Sequence, residues 1–308
     1  MPYLVILIWF GFRTVLIGLA IGLIWWLVRG RKDRLPVGAV AFITLTAVGL
    51  ALACIVFLSA AIGFPVLQPP LSDQIPQWVL EARITWSLAI GIGAAAILDF
   101  PLHAHTPRGQ ATLTQRTPFS FGHRWWFAGA TTIIGTTVTV TVLAGLASEP
   151  DEEGLWRSFT IDAGTEISFG TGIYGWYYSL PSLALLAVLI AVTMVALWLI
   201  ARPAISTDQV NDVRMRQLRT RNILAVTSGA LLIHLGAIFT SLAATASLHG
   251  GAAIGESGWG TWNTPFAAIQ SALTIGGLAI TALGYALWFG ALLSALPSRR
   301  AASATVRS

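Results

Sequence analysis

Charge is what this sequence lacks most: only 10% of its 308 residues are Asp, Glu, Lys or Arg, against about 25% in an average soluble domain. A water-facing surface cannot be covered with so few ionic groups. Lysine is nearly absent, with Lys32 alone, and the single cysteine, Cys54, lies inside an apolar run. That excludes an internal disulfide and a thiolate metal cluster. Also missing are a Gly-x-Ser-x-Gly elbow, a His-Glu-x-x-His pair and a Walker loop, so any ATPase driving this protein is a separate chain. An ordinary cytosolic enzyme, a disordered regulator and a secreted disulfide scaffold are ruled out together.

What is present is apolar: 55% hydrophobic residues and a mean hydropathy of +0.73. A bilayer-spanning helix needs roughly 20 mostly apolar residues. Seven segments qualify, at about 3–28, 36–62, 76–102, 125–147, 178–201, 223–247 and 266–295. The expected fold is an all-α polytopic membrane protein, one seven-helix domain over 1–298 followed by a basic tail at 299–308. The first span is not a cleavable signal peptide, because its basic residues follow it rather than precede it.

Arginine and lysine set the expected orientation. One set of connections, with the C-terminal tail, carries fifteen basic residues; the opposite set carries only Arg157, amid Glu149, Asp151, Glu152 and Glu153. The N-terminus is therefore expected outside and the C-terminus in the cytoplasm of a bacterial plasma membrane. The net charge of +5 is then a topological signal that meets the lipid bilayer, not a nucleic-acid surface. Trp25, Trp26, Trp125, Trp126 and Trp198 fall near one interface. Trp78, Tyr174, Trp176, Tyr177, Tyr178, Trp259 and Trp262 fall near the other.

The outer segment 148–177 is long enough for its own small element. Phe159, Ile161, Ile167 and Phe169 alternate with polar residues around Ala163-Gly164, which reads as a β-hairpin. Within it Gly170-Thr171-Gly172-Ile173-Tyr174-Gly175 matches a dinucleotide pattern, but no βαβ unit surrounds it, and the glycines serve a tight turn instead. In the fourth span Thr132, Thr136 and Thr139 share a helical face, and Gly18 and Gly22 in the first span form a close-packing motif.

Ionisable groups inside a membrane are functional candidates. Arg13 lies roughly ten residues, about 15 Å, into the first span. Glu81 and Arg83 open the third from the same side, and the reading pairs Arg13 with Glu81 in a polar cluster that is a candidate ion, anion or headgroup site. His234, in the sixth span, has no second histidine at its depth, so a bis-His haem is not expected; it fits a neutral imidazole bonded to a neighbouring helix. A retinal protein would need a lysine in the last span, and 266–295 has none. No cofactor or metal is expected.

Asp99, His103 and His105 cluster at the inner end of the third span as weak catalytic candidates, with Pro101 breaking the helix between them. The connection 202–222 concentrates Arg214, Arg216, Arg219 and Arg221 and is the expected contact for a cytoplasmic partner, such as an ATPase or another membrane subunit. The function that fits is a membrane subunit, permease-like or accessory, of a multi-protein transporter or other inner-membrane complex. The alternatives are an intramembrane enzyme acting on a lipid-linked substrate near the cytoplasmic leaflet, and a sensor or assembly factor.

Overall fold

The computed structural model describes residues 2–28, 38–63, 79, 81–99, 117–162, 168–201, 209–253 and 259–296. Helices dominate: α1 (Pro2–Val28), α2 (Ala39–Gly63), α3 (Trp86–Leu98), α4 (Arg124–Leu146), α5 (Trp176–Ala201), α6 (Gln209–Ala246) and α7 (Gln270–Ser294). Each falls on one of the seven apolar segments. Five contain a stretch long and apolar enough to cross a membrane; the described apolar parts of α1 and α3, Phe12–Val28 and Trp86–Leu98, are shorter.

The helices alternate in direction. His234 of α6 meets the carbonyl of Ile84 just before α3, while Arg219 of α6 meets that of Leu98 at its end, so α3 and α6 are antiparallel. Gly18 and Gly22 of α1 lie against Ala282–Gly290 of α7 in ascending order, so that pair is parallel. A Cβ on Gly18 would sit 2.5 Å from that of Tyr285, which is why this close approach needs glycine.

α6 is the central column, with every residue from Asn222 to Leu231 buried. Its tightest partner is α7, where Gly229 faces Gly284 and Gly236 faces Gly277 across an antiparallel crossing. Polar groups inside the bundle bond across helices: Thr193 to Thr227 at 2.8 Å, Asn222 to Ser294 at 3.0 Å, and Trp288 Nε1 to the Val226 carbonyl at 2.9 Å. Large apolar side chains such as Leu16, Phe42, Leu50, Phe57 and Val188 instead face outward, which suits a hydrocarbon solvent.

Two expectations need correction. The third span is not one helix over 76–102. α3 has 13 residues, about 20 Å at 1.5 Å per residue, and is preceded by a 3₁₀ turn at Ala82–Ile84. The Thr85 hydroxyl donates to the Ala82 carbonyl at 2.8 Å, and the Leu88 N–H turns to Thr85. A side chain competing for backbone groups tightens this stretch out of the α form. The sixth helix starts well before the expected 223. Its 38 residues run to about 57 Å, and the basic stretch from Arg214 to Arg221 is a helical extension of the span, a form the mixed charges of 202–222 allowed.

The fold is also not purely α. The expected hairpin is present as β2 (Trp156–Asp162) and β3 (Ser168–Gly172), paired antiparallel with Ile161 opposite Phe169, and β1 (Glu149–Pro150) adds an edge. Asp151 builds the β1–β2 turn, its Oδ1 accepting from the N–H groups of Glu153 and Leu155 at 2.9 Å each, with Gly154 supplying a φ of +79°. A second hairpin, β4 (His249–Ala253) with β5 (Trp259–Asn263), was not foreseen. β4 is mostly glycine and alanine, and β5 (Trp-Gly-Thr-Trp-Asn) spaces its tryptophans three apart, so neither strand carries apolar alternation. Trp262 is thus no simple interface anchor: its ring lies 4.6 Å from that of Phe169 and joins the two hairpins. Both hairpins therefore sit at one end of the bundle. Tyr174 leaves the interface set as well, being fully buried.

Candidate functional site: an arginine-lined cavity at the hairpin end

Beneath the β1–β3 sheet the helices part to leave a cavity of about 1040 Å³. Its walls come from α1 (Arg13, Thr14), α2 (Ile55, Leu58), the start of α3 (Arg83, Ser87), α6 (Ile233 to Ala244) and α7 (Leu278 to Tyr285), with Arg157 and Thr171 of the sheet above. Along α6 the lining runs from Ile233 to Ala244, a rise of about 16 Å. The broken start of α3 explains the opening.

His234 closes one side of that break. It is fully buried, and its Nδ1 lies 2.9 Å from the Ile84 carbonyl, so Nδ1 carries the proton and donates. This is the neutral, helix-bridging histidine the sequence suggested. Ser87, four residues beyond Arg83, lines the cavity and is 3% exposed, and its hydroxyl has no hydrogen-bond partner among the described residues.

Three arginines share the lining, but they differ. Arg157 is heavily engaged: Nε donates to Asp151 at 2.6 Å, Nη2 to Glu153 at 2.9 Å, and Nη1 stands 3.7 Å from Glu81. Its guanidinium also lies over the Tyr177 ring at 5.4 Å, while the Tyr177 hydroxyl donates to Glu81 at 2.7 Å. Partial desolvation acts to raise the Asp151 carboxyl, but the Leu155 N–H, Arg157 and the Glu153 N–H outweigh it and hold it below its ordinary value. The hydrogen bond to Asp151 in turn raises Arg157. Arg83 is exposed to the cavity, and among the described residues no carboxylate pairs with it. Arg13 lines the same space and has interactions of its own.

Arg13, Arg83 and Glu81 thus lie at one end of the bundle. The described partners of Glu81 are Arg157 and Tyr177. Sequence reasoning assigned Arg157 to topology alone and missed Ser87. The signal for Arg157 was its position, one basic residue among four carboxylates. Gly170 and Gly172 are ordinary strand residues of β3; the tight position is Gly175, whose Cβ would fall 2.5 Å from that of Ser148. On α4, Thr132, Thr136 and Thr139 face outward, and Thr137 and Thr141 are the buried ones.

At the opposite end, Asp99 caps α3 and interacts electrostatically with Arg219, which donates to the Leu98 carbonyl at 3.3 Å. His103 and His105 lie outside the described residues. Among the described residues no three His, Cys, Asp or Glu side chains group to hold a metal. The four arginines of the expected docking stretch also divide. Arg214 is exposed, and Arg221 lies over the Trp25 ring at 5.9 Å. Arg219 is half-buried. Arg216 has no exposed surface: it bonds Asp212 at 2.8 Å and the Ile200 carbonyl, with Phe121 against its face. A partner can meet Arg214 at this end, but not Arg216.

Comparison with protein-family models, with curated proteins and with solved structures finds no match to this chain.

Proposed function

We propose that the chain is a multi-pass protein of a bacterial plasma membrane, with the hairpin end outside, and that it serves as the anion-binding, permease-like or accessory component of a multi-protein transporter or other inner-membrane complex. The observation that carries this reading is Arg83, an exposed guanidinium lining a large cavity with no described carboxylate within 4 Å of it. In a membrane such a cation is costly unless something neutralises it, and an anion from outside does so. The basic bias of the opposite connections supports the orientation, and Arg214 offers a contact for a cytoplasmic partner. The intramembrane-enzyme alternative rests on Asp99, whose described neighbour is an arginine rather than a histidine.

Binding is tested by thermal unfolding of the purified protein in a neutral detergent with phosphate-class anions, both inorganic phosphate and dodecyl phosphate. At least one should raise the midpoint for wild type and raise that of Arg83→Gln less. No rise with either overturns the anion reading. Orientation is tested with Cys54→Ala as background: Gly154→Cys should react with an impermeant maleimide on whole cells, and Thr112→Cys only after lysis. The reverse pattern overturns the sidedness.

A further inference from the structure

Resting on that anion-binding reading, we infer that the ligand is an amphiphile: a phosphate-class headgroup held by Arg83, Arg13 and the Ser87 hydroxyl, with a hydrocarbon chain lying along α2 and α7. Size argues first. Pockets for whole small molecules run to roughly 300–1,000 Å³, and this one is about 1040 Å³, far more than an inorganic anion fills. The mixed lining of the cavity argues next. Arg13 and Arg83 line it together with Ile55 and Leu58 of α2 and Leu278 of α7, which present only hydrocarbon. A free anion has no use for the hydrocarbon, and a neutral lipid has none for the arginines.

Ser87 supplies the independent observation. The residue lines the cavity, and its buried hydroxyl has no hydrogen-bond partner among the described residues; a buried polar group left unbonded is costly. Arg83 and Ser87 lie four positions apart across the 3₁₀ turn and both line the cavity, so they can address one phosphate together. The guanidinium presents a planar fork of N–H donors, the hydroxyl presents one more, and phosphate oxygens accept from both. Arg157, already committed to Asp151, Glu153 and Glu81, stays with the sheet above and does not compete for the headgroup.

Equilibrium binding to the purified full chain in dodecyl maltoside separates the possibilities, with dodecyl phosphate and inorganic phosphate as probes. Dodecyl phosphate should bind saturably and at least about tenfold more tightly than inorganic phosphate. Arg83→Gln and Ser87→Ala should each weaken it, the former about tenfold. Leu278→Trp, which fills the cavity at its apolar lining, should weaken dodecyl phosphate while leaving inorganic phosphate unchanged; Leu58→Trp tests the same lining from α2 should the first variant fail to fold. Equal affinity for the two probes overturns the amphiphile inference and leaves the anion-binding reading standing. Binding of neither, by a protein with wild-type unfolding behaviour, overturns both.

Discussion

The two ends of the bundle each join arginine to carboxylate, and they do so in opposite ways. At the hairpin end the Arg157 and Glu81 side chains keep 24% and 25% of their surface, beside a cavity that also receives Arg13 and Arg83. At the other end Arg216 and Asp212 keep 0% and 5%, and the guanidinium is satisfied by the carboxylate, a helix-end carbonyl and an aromatic face. A sealed, satisfied pair has no valence left for a ligand; it fixes how α5 ends and α6 begins. A partly open network beside unfilled space does have capacity. Intramembrane charge alone therefore does not mark a site; charge next to space does.

The largest expected effect breaks the sealed end. Arg216→Leu leaves Asp212 buried without its cation and should cost about 3–5 kcal/mol in equilibrium unfolding from mixed micelles, because desolvated charges are expensive when orphaned. Changing Asp212→Leu together with Arg216→Leu should recover part of that loss. If the single variant is as stable as wild type, the pair is not the clamp described. The contrast then predicts that Arg83→Gln, at the open end, changes unliganded stability little while it weakens anion binding about tenfold.

A smaller loss should follow Gly284→Ala, whose methyl would come 2.7 Å from the Gly229 carbonyl oxygen. Overpacking of this kind costs about 1–3 kcal/mol. The same measurement checks it, and Gly93→Ala, where nothing lies within 4 Å, is the control expected to be neutral. Arg157→Gln should have a lesser effect on global unfolding but a local one: the amides of β2 and β3 should exchange faster, because the side chain that ties the sheet to Glu81 and Tyr177 is lost. Unchanged exchange there would separate the sheet from the site.

The smallest effect is a pH dependence at the same network. Asp151 is held below its ordinary 3.8, so its contribution is present above that value and is lost as pH falls through the lower, folded value. The stability gap between wild type and Asp151→Asn should stay level from about pH 7 to about pH 5 and close only below about pH 4. A gap that closes near neutrality would point to a different group.

Much of the architecture was legible. Long apolar runs between basic connections marked all seven helices, and alternation from Phe159 to Phe169 marked the first hairpin, because both signals are periodic and local. The second hairpin was invisible because a glycine–alanine strand and a strand with tryptophans three apart carry no alternation; Trp262 on Phe169 ties it to the first hairpin, a contact between segments about ninety residues apart. The shortness of α3 was hidden too, since the composition stays apolar through a stretch where Thr85 diverts the backbone hydrogen bonds.

By itself the sequence determined the solvent of this protein, the number and order of its helices, and the residues whose charge would need explaining, because transfer free energy depends on composition and on a repeat of a few residues. Only the tertiary structure decided which charges were spent. Arg216 and Arg83 look alike in a string of letters, each an arginine at the end of an apolar run. Packing closed Phe121, Asp212 and Ile200 around one and left the other facing open space with the Ser87 hydroxyl, because burial and hydrogen-bond satisfaction depend on neighbours from other helices that no local pattern encodes.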